Sequence, residues 1–408
     1  MRILFLHQNF PGQFVHVAQA LRRSGRHELL ALVPDGHDRP SPVPTRAYAF
    51  DAGRVRTGVP LAHHYTRRVA RGAAVATAMA ALRAEGYQPD LVIGHGGWGE
   101  TLFVKDVWPA ARVILHAEFF YAAEGSDVGF DPEFPEPDPV QARLQIRTRN
   151  TAMTQALLDA DQGVAPTGWQ ASRFPPGLRE RIAVVHEGID TDGIRPDPAA
   201  SVSLRQDGVV LRPGDEVVTY VARNLEPYRG FHVFMRALPL ILQARPQARA
   251  VIVGGDEVSY GRSARGGRSW REVLLNEVRD RLDPARVHFV SRVPHPVFVQ
   301  LMQVSAAHVY LTYPFVLSWS VLEAMSAGAL VVGSRTPPVE EVVEDGRNGI
   351  LRGFHDVAGI ADAVVEALAY PEAFRSLRAA ARRTVVERFD LRRVCLPQWL
   401  ALVHQSAA

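Results

Sequence analysis

At 408 residues, 47% hydrophobic and 22% charged, the chain has an ordinary soluble globular composition and is long enough for two domains. A formal net charge of only +3 argues against a general nucleic-acid binder. A single cysteine, Cys395, excludes internal disulfides and cysteine-based zinc sites; no apolar run has the length of a membrane span or the form of a secretory signal. The expected location is the cytoplasm, with peripheral contact at the inner face of a membrane left open. Lys105 is the only lysine. A GC-rich genome accounts for the arginine bias, and an Arg can therefore stand where relatives carry Lys.

In chain order, Ile3–Leu6 reads as a buried strand, followed by His7-Gln8-Asn9-Phe10-Pro11-Gly12-Gln13-Phe14. A helical pattern over Val15–Arg23 and a strand over Leu29–Val33 complete a βαβ unit. It lacks the G-x-G-x-x-G fingerprint, so Gly12 reads equally as a tight turn or as a loop approaching a ligand. Residues 35–60 are rich in Pro, Gly and Arg and read as an extended insertion; 62–85 form a long helix. Strands at Leu91–Ile93 and Val113–Leu115 end in Gly94-His95-Gly96-Gly97-Trp98-Gly99 and His116-Ala117-Glu118. The carboxyl ends of strands are where α/β sheets place ligands. An acidic, Pro-containing loop (122–139), a helix (141–160), two short strands (163–165, 182–185) and a Pro-containing hinge (186–198) follow.

The second half restarts the alternation. Strands are expected at 217–221, 250–253 and 287–290, and helices at 231–243, 270–282 and 297–304, with a polar loop from Tyr260 to Arg271. Ala307–Glu341 then reads strand, loop, helix, strand, a βαβ unit whose loop offers backbone N–H groups to an anion. Helices at 358–369, 373–388 and 391–405 close the chain. The fold class is therefore α/β, with two successive Rossmann-like, doubly wound domains: 1–195, and 196–388, with 389–408 as a final helix.

Arg223 and Arg229, six residues apart after a strand, suit a diphosphate clamp; the alternative is a solvated loop with Arg229 paired to Glu226. Glu323 has two readings as well. Ser320-x-x-Glu323 is a capping-box spacing, and the carboxylate also suits the vicinal hydroxyls of a ribose. His95 and His116 can orient a hydroxyl or take a proton, or can be core histidines. No His/Asp/Glu spacing in the sequence matches a zinc or calcium site, and there is neither a Walker loop nor a G-x-S-x-G elbow.

Together, several segments resemble the retaining GT-B glycosyltransferases of family 4. The strongest are Leu322-Glu323-Ala324-Met325-Ser326-Ala327-Gly328 and Val339-Glu340-Glu341-Val342-Val343-Glu344-Asp345-Gly346-Arg347-Asn348-Gly349. Asp161–Pro175, Glu187-Gly188-Ile189-Asp190 and Arg223 to Arg229-Gly230 add to them, and Asn9-Phe10-Pro11-Gly12-Gln13-Phe14 is similar to one bacterial branch. The resemblance implies two Rossmann-like domains facing a central cleft, with the last helix crossing back to the first. It implies a UDP- or GDP-sugar bound mainly on the second domain, and a glycan, lipid-linked or small-molecule acceptor on the first, with His95 and Glu118 as acceptor-side candidates. By matching position, Glu323 would bind the ribose, Arg223 and Arg229 the diphosphate, and Gly12 would approach the diphosphate from the other domain. Arg292 and Val293 would line the base. His116 would lie near the donor sugar, and the loop with Ser318, Trp319 and Ser320 would contact phosphate or sugar. No metal or other cofactor is implied.

Two departures stand out. Phe315 occupies the position eight residues before Glu323 where the family carries a second Glu, and Arg229 replaces a Lys. The leading expectation is a retaining hexosyltransferase. A non-catalytic nucleotide- or glycan-binding module, motivated by Phe315, and a nucleotide-sugar epimerase are the alternatives.

Overall fold

The computed structural model describes residues 1–204 and 208–405. It divides into two compact units: Met1–Gly188 together with the chain from Leu391 onward, and Ile189–Asp390. The sequence boundary at 195/196 and this division differ by residues 189–195. That segment belongs with the second unit because Ile189 N–H donates to Phe389 O (2.8 Å) and Ser326 Oγ donates to Ile194 O (2.5 Å).

The first unit is built on seven strands: β1 (Arg2–Leu6), β2 (Glu28–Pro34), β3 (Thr45–Tyr48), β4 (Leu91–His95), β5 (Arg112–His116), β6 (Gln162–Ala165) and β7 (Ile182–Val184). Their order is β3-β2-β1-β4-β5-β6-β7, every pair parallel. Parallel sheets are covered on both faces, which is why these strands read as continuous apolar runs. Alternation along β1 sends Leu4 and Leu6 into a layer with Val75, Met79 and Met153. Ile3 and Phe5 point into the opposite layer, with Phe14, Val17, Leu21, Trp399 and Val403. The last two residues come from the end of the chain, where a π-helical turn (Leu391–Cys395) leads into the Leu396–His404 helix.

In the second unit β8 (Val202–Leu204) and β9 (Val209–Leu211) pair antiparallel. A six-stranded parallel sheet comprises β10 (Val217–Asn224), β11 (Arg249–Gly255), β12 (Val287–Val290), β13 (Ala307–Tyr310), β14 (Leu330–Ser334) and β15 (Ile350–Arg352), in the order β12-β11-β10-β13-β14-β15. β3, β8, β9 and β15 were not expected; β3 lies inside the stretch read as an insertion. Among the described residues no helix is long and apolar enough to cross a membrane.

Each sheet has one place where the strand order reverses direction, and there the carboxyl ends of neighbouring strands open a crevice. In the first unit it lies between β1 and β4, in the second between β10 and β13. The candidate residues gather at these two places.

Candidate active site

In the first unit, His7 follows β1, His95 ends β4 and His116 ends β5. All three are buried, at 1%, 1% and 0% exposure. The His95 ring stacks on Trp98 (3.7 Å, 6°), the His7 ring meets Trp98 edge-on (4.8 Å), and His95 and His116 lie 5.0 Å apart. Two tautomers are set by the backbone. Asn9 N–H donates to His7 Nδ1 and Gly97 N–H to His95 Nδ1, each at 3.0 Å. The proton of each neutral ring is therefore on Nε2. His7 Nε2–H donates to Gln13 Oε1 (2.8 Å), and Gln13 Nε2 donates to Glu118 Oε1 (3.0 Å). His95 Nε2 lies 3.5 Å from Glu118 Oε2.

Glu118 is thus the carboxylate that collects this chain of donors, with its side chain one-third exposed. Burial alone would raise its pKa, but His95, His116 and Gln13 hold it down at about 2. Burial, with His95 beside it, lowers both His7 and His116 to about 3. Among the described residues neither ring nitrogen of His116 has a hydrogen-bond partner, and the carboxylate of buried Glu187 lies 3.7 Å from Nε2. Gly12 has a structural reason to be glycine: its φ is +47°, and a Cβ there would lie 2.3 Å from the His7 ring.

Donor atoms of His95, His116 and Glu118 lie within 4.8 Å of one another, a grouping that sequence spacing did not reveal. The fixed His95 tautomer fits this trio poorly to a metal, because Nε2, the atom facing Glu118, carries the proton.

In the second unit, Arg223 lies inside β10 rather than after it, at a register shift between Val221 and Asn224. It is exposed, whereas Arg229 is 9% exposed. Arg229 Nη1 donates to Thr312 Oγ1 (2.7 Å) and Val316 O (3.0 Å) and lies 3.4 Å from Tyr310 Oη. The expected Arg229–Glu226 pair does not form. Glu226 instead accepts the N–H groups of Ser259, Tyr260 and Gly261 at 2.9–3.2 Å, anchoring the loop after β11. Among the described residues every partner of the Arg229 guanidinium is neutral. Arg223, Arg229, Tyr260, Tyr310 and Ser318 line one cavity of about 80 Å³.

The capping-box reading of Glu323 is overturned. Ser318 is the N-cap of the Trp319–Ala327 helix, accepting from Ser320 N–H, so the helix starts too early for Ser320 to cap it. Ser318 and Ser320 hydroxyls lie 2.9 Å apart. Glu323 Oε1 hydrogen-bonds His295 Nε2 (2.6 Å), which raises the His295 pKa. Arg292 pairs with Glu257 (3.0 Å), while Val293 and Trp319 pack on the core of this unit. Phe315 is 3% exposed and sits against Tyr228 (5.4 Å) and Tyr260 (5.0 Å).

The structure thus gathers Gly12, His95, His116 and Glu118 in one cluster, and Arg223, Arg229 and Ser318 around one cavity. Glu323 lies beside His295, two residues past Val293. His7, Gln13, Trp98, Tyr260, Tyr310 and His295 were missed. A strand-end His followed two residues later by Gly or Asn was the available signal: it recurs at His7–Asn9, His95–Gly97 and His186–Gly188.

Residues 25–194 match the family described as Glycosyl transferase family 4 group, and residues 215–370 match Glycosyl transferases group 1. A D-inositol 3-phosphate glycosyltransferase of Streptomyces scabiei is 26% identical over 66% of this chain and 56% of its own length. A GDP-mannose-dependent alpha-(1-6)-phosphatidylinositol monomannoside mannosyltransferase of Mycolicibacterium smegmatis is 28% identical over 59% and 62%. The chain therefore spans between half and two-thirds of these relatives. The crystal structure of Anabaena HepE in complex with UDP-glucose has the same fold, with a TM-score of 0.69 over 99% of both chains at 18% identity. With both halves matched in order, the chain belongs to family 4 of the GT-B glycosyltransferases.

Proposed function

We propose that the protein is a retaining, metal-independent glycosyltransferase of the cytoplasm or the inner membrane face. It moves a hexose from a UDP- or GDP-sugar to a glycan, lipid-linked or small-molecule acceptor. The observation that carries this reading is Arg229. A guanidinium this buried, with only neutral partners, is a cation awaiting an anion, and exposed Arg223 lines the same cavity. Glu323, released from helix capping, has an oxygen left for ribose hydroxyls. The names of the relatives, one GDP-mannose-dependent and one solved with UDP-glucose, support a nucleoside diphosphate donor.

In this reading the bond from the anomeric carbon to the diphosphate breaks, and the electron pair leaves with the diphosphate. Arg223, Arg229 and the N-terminus of the Trp319–Ala327 helix stabilise that charge. The acceptor oxygen bonds to the same face of the sugar, and its proton passes to the departing phosphate. Arg292 and Val293 flank the base, and Glu118 and His95 receive the acceptor. With Phe315 in place of a carboxylate, sugar hydroxyls fall to Ser318, Trp319 and Ser320.

A thermal-shift panel of nucleotide-sugars identifies the donor, since a ligand bound only by the folded state raises apparent stability. Arg223→Ala and Glu323→Ala are each expected to lower kcat/KM by about tenfold or more; near-wild-type kinetics for both would remove the donor-site assignment. Retention is read from the anomeric configuration of the product, and metal independence from turnover in EDTA.

A further inference from the structure

The His63–Ala84 helix carries Arg67, Arg68, Arg71 and Arg83, two histidines and no acidic residue. The Pro139–Asp159 helix carries Arg143, Arg147 and Arg149 before its one acid, Asp159. The two pack together, with Tyr65 Oη donating to Gln155 Oε1 (3.2 Å). Arg143 is paired with Glu124 (2.8 Å) and Arg71 with buried Glu100 (3.4 Å). Arg68 and Arg149, both half-buried, have no carboxylate partner among the described residues. Arg68 donates to the Arg149 carbonyl oxygen. The Arg149 guanidinium lies 3.6 Å over the Tyr121 ring and donates to its hydroxyl (2.7 Å), while its Nε is buried and has no acceptor among the described residues. The cations act on one another: burial and then Arg149 bring Arg68 down to about 10, and burial with Arg149 and Arg68 brings His64 down to about 4.

This pair adjoins the histidine cluster. A Cβ on Gly99 would lie 2.2 Å from the Arg68 carbonyl oxygen, so the turn that carries His95 touches the helix at that residue. One turn on, Arg71 donates to Gln8, the neighbour of His7. Tyr121 follows Glu118 by three residues.

We infer that Arg68 and Arg149 hold a phosphate group of the acceptor. The acceptor is then a phosphorylated polyol or sugar, free or as a lipid headgroup, that presents a hydroxyl to Glu118. Two guanidinium forks without a carboxylate match phosphate oxygens bidentately. This inference rests on the acceptor-side reading of the first unit.

The test titrates inorganic phosphate and glycerol 1-phosphate into the full chain saturated with UDP, which occupies the Arg223–Arg229 cavity. In parallel, the chain is sedimented with phosphatidylcholine vesicles with and without phosphatidylglycerol. The inference expects binding that Arg68→Gln and Arg149→Gln each weaken by about tenfold, with bound UDP reporting an intact fold. Where Arg149→Gln fails to fold, Arg68→Gln carries the test. Binding of glycerol phosphate alone identifies a water-soluble acceptor; sedimentation with phosphatidylglycerol, lost in the variants, identifies a headgroup. No binding of any probe, or equal binding by wild type and variants, overturns the subsite. Failure of UDP to bind overturns the donor reading instead, and the phosphate titration is then run on Arg223→Gln.

Discussion

His7 and His116 are held neutral by burial, with His95 beside them, and burial and nearby His16 do the same to His186; each falls to about 3 against an ordinary value of 6.5. Their unfolded forms take up protons below 6.5 while the folded forms do not, so stability falls as pH falls from 6.5 towards 3. Each contributes a slope of about 1.4 kcal/mol per pH unit in that window. Glu118, depressed to about 2, adds to the loss only below its ordinary value of 4.5. His295 has the opposite sign: its raised pKa gives stability that is present below 6.5 and lost as pH rises. Urea unfolding between pH 7 and 4 should show the steep acid loss, and His116→Gln should flatten it; an unchanged slope would refute the neutral-histidine account. Arg223, Arg229 and Glu323 were legible as candidates because they stand in the segments that carry the family resemblance. Their alternatives were not separable in sequence, because Ser320 and Ser318 offer the same chemistry and only backbone geometry shows which one caps the helix.

At the scale of elements, two substitutions separate local geometry from chemistry. Ser318→Ala removes the N-cap of the Trp319–Ala327 helix and should cost about 1 kcal/mol. Ser320→Ala should cost less, and the reverse order in denaturant melts would restore the capping box. Gly99→Ala forces a side chain into φ +107° and onto the Arg68 carbonyl, with an expected loss of about 2–4 kcal/mol. The glycine-rich turn is thus explained first by helix packing and only second by a ligand. The parallel strands were readable because burial on both faces makes them continuous apolar runs. β3 was not, because three of its four residues are exposed and prolines precede it. β8, β9 and β15 have three residues each, too few for a period to show.

At the scale of the whole molecule, the second unit is one continuous segment whose ends meet: Ile189 bridges to Asp390, and Thr191 Oγ1 donates to the Asp390 carboxylate. Residues 189–390 expressed alone should therefore fold cooperatively and bind UDP; a molten far-UV and near-UV signature would contradict this. The first unit is discontinuous, and that has a consequence in time. Trp399 and Val403 complete the layer formed with Ile3, Phe5, Phe14 and Leu21. They leave the ribosome only after the second unit has been made, a delay of about 10–40 s at ~5–20 residues per second. Throughout that interval the nascent first unit shows water an unfinished apolar face. It is the part of the chain that most needs a chaperone during synthesis.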